Sequence, residues 1–209
     1  MPKKALYLLT FFSSLGLLAQ KEVTKTVLDP RVSTLQIDGT HCFEVLLDTS
    51  NSLGNTIVLE GKMDGEYSPD LQMNTSTQGS TMFINAGFRP VFELPNDKLG
   101  AHKVVSISLK VLVPSGKNVN VMGTSTRVSA HGQYGKLNIT LSDGNCFLDH
   151  VAQETKVHTQ SGSIGLVASA GHIEAHSKYG QVDKNPIPPG EDRFYLNSVT
   201  GDIHLNKTE

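Results

Sequence analysis

The sequence predicts an all-β chain wound as a β-solenoid, and three observations predict it. An x-apolar-x-apolar unit returns every nine residues through the second half of the chain: Val119/Val121, Val128/Ala130, Leu137/Ile139, Cys146/Leu148, Thr155/Val157, Ile164/Leu166 and Ile173/Ala175, then Val182. After a proline-rich interruption the frame resumes at Phe194/Leu196 and Ile203/Leu205, again nine apart. The turn between units often places a glycine just ahead of the next pair, as at Gly135, Gly162, Gly171 and Gly201. Alternation over about five residues is the period-two mark of a half-buried strand, and about four more residues, with a glycine free to take positive φ, turn a corner. One such unit cannot bury its own apolar face. Stacked as coils, the units build a continuous core and hydrogen-bond each strand to the rungs above and below. Gly144, Gly162 and Gly180 stand 18 residues apart, which favours two units and about 18 residues per coil, although nine also divides a triangular 27-residue coil. An antiparallel meander, sandwich or barrel with evenly spaced strands is the competing arrangement.

In chain order, residues 1–19 have the parts of a secretory signal peptide: Lys3 and Lys4, an uncharged apolar run from residue 5, and the small Ala19 at its end. The run is short for a membrane span, and no other stretch is apolar enough for one. The mature chain is therefore expected to be exported and periplasmic, outer-membrane associated or extracellular, with no transmembrane span of its own. Residues 20–103 are expected to form irregular β strands that lead into the solenoid and cap it, with strands at 32–37, 42–47, 56–60, 71–74 and 81–85. A loop follows at 88–103; it carries Pro90 and Pro95, and Asn96, Asp97, Lys98 and His102 could line a polar site there. A long strand at 104–113 opens the solenoid region, 104–209. Within it, Pro186, Pro188 and Pro189 cannot donate to a ladder, so residues 183–193 are expected to leave the stack as a loop.

The units at Tyr134-Gly135, Ser161-Gly162 and Thr200-Gly201, the long strand ending in Pro114, and the apolar leader together resemble the bacterial putative-adhesin β-repeat families, relatives of the head GIN domain. The resemblance covers residues 104–205 well and the N-terminal third more loosely. It implies an exported, solenoid-like protein of the cell envelope and carries no catalytic residue, because the matched pattern consists of glycines and core positions.

Chemistry has little foothold in the sequence. The formal net charge of −2, falling to −4 once Lys3 and Lys4 leave with the leader, gives no electrostatic footprint for nucleic acid. Cys42 and Cys146 could pair as a disulfide in an oxidising compartment or remain two buried thiols. Eight histidines show no HExxH motif and no compact Cys/His cluster, so no metal, cofactor or catalytic residue is expected. With an 18-residue coil, His158 and His176 would stack on neighbouring rungs about 4.8 Å apart, with Lys156 and Glu174 as an ion pair beside them. Two functions fit: a non-enzymatic envelope binding module, adhesin-like or structural, whose partner is a polysaccharide, an envelope component or a protein; or a carbohydrate-active enzyme on a β-helix scaffold. Clustered carboxylates along a groove would favour the enzyme, and a Ser/Thr/Asn-rich face without a perturbed acid would favour the binder.

Overall fold

A computed structural model describes residues 20–64, 71–88 and 106–208. The leader at 1–19 and the polar loop carrying Asn96, Asp97, Lys98 and His102 lie outside the described residues. Fourteen strands follow one another: β1 (Gln20–Val27), β2 (Thr34–Asp38), β3 (Glu44–Ser50), β4 (Thr56–Asp64), β5 (Leu71–Gln78), β6 (Thr81–Phe88), β7 (Ser106–Pro114), β8 (Asn118–Gly123), β9 (Arg127–Leu141), β10 (Cys146–Thr159), β11 (Ile164–Ala168), β12 (His172–Ser177), β13 (Arg193–Ser198) and β14 (Ile203–Lys207). A single 3₁₀ turn, Asn51–Leu53, is the helical element among the described residues. The all-β class holds. All fourteen strands join one sheet, curled into a nearly closed, barrel-like form that is not in itself a solenoid.

Most pairs are parallel, and their registers carry the sequence period. Val119 pairs with Leu137, Leu137 with Thr155, and Cys146 with Ile164, each 18 residues on. The long strands β9 and β10 bend and thereby serve two walls of the sheet. Their first halves continue into β3 and β11, and their second halves into β8 and β13. Among the described residues, antiparallel pairing is confined to the N-terminal strands β1, β4 and β7 and to the β5–β6 hairpin.

The core follows the frame. Val119, Val121, Val128, Leu137, Leu148, Ile164, Leu166, Phe194, Leu196 and Ile203 are each at most 1% exposed. A buried side chain of this size contributes about 1.5–3 kcal/mol over leaving it in water, so alternation alone largely decides which way each strand faces. Val182 departs from the frame: the sequence points it inward, yet it is 39% exposed, and Ile173 and Ala175 are only partly buried. The cause is the order of the strands. Rather than adding beyond β12, the final unit inserts: β13 pairs with β10 on one side and β12 on the other, and β14 sits between β11 and the bridge at Val182. The unit at 172–182 is thereby left outermost. The proline segment makes this possible by giving the chain a path back, and Ile187 anchors it, buried at 5% exposure.

The corner glycines also differ from expectation. Gly135, Gly144, Gly162, Gly171, Gly180 and Gly201 do not take positive φ. They stand where one corner's backbone lies on the next: a Cβ on Gly144 would fall on the Thr126 carbonyl, one on Gly162 on the Gly144 carbonyl, and one on Gly201 on the Gly162 carbonyl. Beneath this column, Thr159 Oγ1 donates to the Gly162 carbonyl at 2.6 Å, and Ser198 Oγ accepts from the Gly201 amide at 2.9 Å.

Of the two alternatives for the cysteines, the structure has the two buried thiols. Cys42 and Cys146 are both free and buried. Cys146 pairs with Val128, which pairs with Val45, so two ladder steps of about 9–10 Å in total separate Cys146 from the strand that Cys42 leads into. A disulfide needs Cα atoms within about 7 Å.

Candidate functional site

Two regions of the surface concentrate chemistry. The first is the wall formed by β2, β8, the second half of β9, the second half of β10, β13 and β12. Because the pairs are parallel and in register, outward side chains fall into rows across the strands. One row reads Gln36, Asn120, Asn138, Lys156, Tyr195, Glu174, and the next reads Thr140, His158, Asn197, His176. Asn138 Nδ2 donates to Asn120 Oδ1 at 2.8 Å. The Lys156 ammonium lies 5.3 Å from the centre of the Tyr195 ring. A shallow hollow of about 220 Å³ opens among Asn138, Thr140, Lys156, His158, Tyr195 and Asn197.

This arrangement corrects the expected columns. His158 and His176 share a row but are not neighbours, since Asn197 stands between them, and Tyr195 likewise separates Lys156 from Glu174. The sequence step is 18 residues, yet the inserted β13 adds a strand to the gap. Lys156 instead pairs with Glu154 at 3.1 Å on its own strand.

At the edge of this wall a hollow of about 650 Å³ is lined by Lys136, Glu154, His172, Glu191, Asp192 and Arg193 together with Gly135, Gln153 and Gly190. Glu154 pairs across the ladder with both Lys136 and Arg193. The hydrogen bond from Lys156, with Lys136, Lys156 and Arg193 nearby, holds its carboxyl below the ordinary glutamate range. Asp192 is committed to structure, accepting from the Gln153 amide at 2.7 Å.

The second region lies where β9 and β10 bend between the two walls. Gly132 takes φ +105°, and a Cβ there would collide with the Thr49 hydroxyl. In β10, His150 and Gln153 take φ 50° and 79°, and the pairing of β9 and β10 shifts register between Asp149 and Val151. Strict alternation from the inward Cys146 and Leu148 would turn His150 into the core. The bulge turns it outward instead, as bulges do where they re-aim a side chain. His150 thus lies beside Asp149, with Nδ1 2.6 Å from Asp149 Oδ1, and its ring meets His131 edge-on at 6.2 Å between centres. His131 is the ladder partner of Asp149, and its Nδ1 contacts Asp48 Oδ1 at 3.1 Å. The buried Tyr134 hydroxyl donates to the His131 carbonyl at 3.0 Å, fixing the backbone beneath. Burial, with Asp48 adding to it, raises the pKa of this hydroxyl and keeps it a neutral donor.

Sequence reasoning named Lys156, Glu174, His158 and His176 and missed this second cluster. One signal was present, since His131 and Asp149 are 18 residues apart; the bulge that brings in His150 leaves no such mark. Cys42 and Cys146 take no part in either region. Burial, with Asp38 adding to it, pushes the Cys42 thiol up to about 12, and burial alone raises Cys146, so both thiols are inert.

No helix among the described residues is long and apolar enough to cross a membrane. No family model matches the chain, and no curated protein matches it. Among solved structures it is similar to a protein from Clostridium sporogenes described as a "putative cell adhesion protein", at 8% identity over 90% of this chain and 100% of that one, with a TM-score of 0.57. A "putative adhesin" from Bacteroides fragilis aligns over 90% of this chain and 97% of its own at 9% identity and TM-score 0.28. A "putative lipid binding protein" from Parabacteroides distasonis aligns over 90% and 97% at 12% identity and TM-score 0.27. The last two scores are too low to bear on the fold; the first shows that this all-β architecture is shared with a solved structure.

Proposed function

We propose that this chain is an exported, non-enzymatic binding module of the bacterial cell envelope, adhesin-like in role, whose amide-rich wall holds a polysaccharide. The observation that carries the reading is the outward row Gln36, Asn120, Asn138, Lys156 and Tyr195. Each carboxamide offers both donors and an acceptor, the pairing that sugar hydroxyls need, and the Tyr195 ring adds an amphipathic surface with a polar tip. A regularly spaced row suits an extended chain better than a compact small molecule. The apolar leader at 1–19 supports export, and the description of the Clostridium protein as a cell adhesion protein agrees with an adhesive role. Membership of the putative-adhesin β-repeat family is part of this reading. So is a winding of about 18 residues per coil, which the 18-residue registers support, with the antiparallel strands of residues 20–103 capping one end.

The hollow with three carboxylates gives the enzyme reading its one support. A glycosidase acid must hold its proton near neutral pH, whereas Glu154 is held ionised by its cations; this favours binding. The test is to present the chain from Gln20 onward to an array of envelope and environmental polysaccharides and read retention and cleavage together. The expected result is retention without new reducing ends, lost in Asn138→Ala and Tyr195→Ala. New reducing ends would overturn the non-enzymatic reading, and failure to retain any polysaccharide would overturn the ligand class.

A further inference from the structure

We infer that His131, Asp149 and His150 form a binding site for a divalent transition-metal ion of the zinc class, at the bend of β9 and β10 and independent of the amide-rich wall. One ligand atom from each of the three lies within 4.8 Å of the others, the one such group among the described residues. Two imidazoles and one carboxylate are the donor set that zinc takes in three-ligand sites, with a fourth position open to water or a partner; imidazole donors favour zinc, copper or nickel over magnesium or calcium. Tetrahedral zinc with bonds near 2.1 Å wants its ligand atoms about 3.4 Å apart, so these atoms, within 4.8 Å of one another, would draw together by up to about 1.4 Å on binding.

Two further features set the group apart from a chance meeting of surface residues. His150 is outward only because β10 carries a bulge and takes φ 50° at a non-glycine residue. Such a conformation is uncommon and costs about 1–3 kcal/mol, and its visible consequence is to bring a second imidazole to Asp149 and His131. Asp48 then contacts His131 Nδ1 at 3.1 Å, the carboxylate–imidazole pairing that fixes a metal-binding histidine's tautomer and leaves Nε2 free to ligate. The ion would displace the hydrogen bond between His150 and Asp149 and join β9 to β10 across the bend.

The experiment is a titration of the metal-free full chain with zinc against a chromophoric chelator, repeated with magnesium and calcium. The expected result is one zinc per chain and no competition from magnesium or calcium. His131→Ala and His150→Ala should each lose that binding, and Asp48→Asn should weaken it by about tenfold or more through the lost orientation. The double variant His158→Ala/His176→Ala, which leaves the cluster intact, should bind as the parent does. Circular dichroism of each variant separates loss of the ligand from loss of the fold. Absence of one-to-one zinc binding by the parent, or binding that survives in a folded His131→Ala/His150→Ala chain, overturns the site.

Discussion

The unit at 172–182 and the unit at 193–205 follow the same nine-residue frame and meet different fates. In the later one, Phe194, Leu196 and Ile203 are wholly buried, whereas in the earlier one Ile173 and Ala175 are half-buried and Val182 is 39% exposed. Local alternation sets which side of a strand faces inward in both. What differs is the number of neighbours: among the described strands β13 has a partner on each side, while β12 has β13 alone. Position in the frame specifies direction, and position in the strand order specifies burial.

The comparison is broken most severely at its core residues. Phe194→Ala should cost about 3–5 kcal/mol, and Ile173→Ala, at the equivalent frame position, no more than about half of that; urea unfolding of the two variants gives both values. Equal costs would contradict the order of the strands. The corner column gives the next test. Gly162→Ala puts a methyl group against the Gly144 carbonyl while Gly201 presses from the other side, and should cost about 3 kcal/mol. Gly180→Ala meets only the Gly201 corner and its own Ser177, on a rung free to yield outward, so its loss should be smaller.

Two weaker effects sharpen the picture. Both thiols should be silent to a disulfide reagent at pH 8 in the native protein, and both should react once it is unfolded; fast native labelling of Cys146 would contradict its burial. Thr155 carries a buried hydroxyl with no hydrogen-bond partner among the described residues, so Thr155→Val should be neutral or stabilise by up to about 1 kcal/mol, read as a rise in thermal midpoint.

The contrast between the units also explains what the sequence could disclose. The inward pairs from Val119 to Leu166 were legible because burial repeats with the period of the strand. The 18-residue step was legible in Gly144 and Gly162, though the expected reason, positive φ, was not the operative one; close backbone approach imposes the same residue. The insertion of β13 was not legible, since Phe194 and Leu196 look alike whether their strand ends the stack or enters it. That one ambiguity misplaced His158 against His176 and Lys156 against Glu174. The strand at Gln20–Val27 was missed because Val23 and Val27 are its exposed side chains, leaving no inward apolar alternation to read. At the bend, a bulge breaks period two at His150, and a rule built on alternation turns that residue to the wrong side.

Tyr195 and Asn197 join the amide-rich wall only if β13 lies between β10 and β12, where they extend the rows of Asn138 and Thr140. Hydrogen exchange read by mass spectrometry tests this most directly. The amides of residues 193–198 should exchange as slowly as those of 137–141, near the limit of global unfolding, while those of 172–177 exchange earlier through local opening of the outer strand. Protection of 172–177 equal to or greater than that of 193–198 would contradict the inserted order and the binding surface built on it.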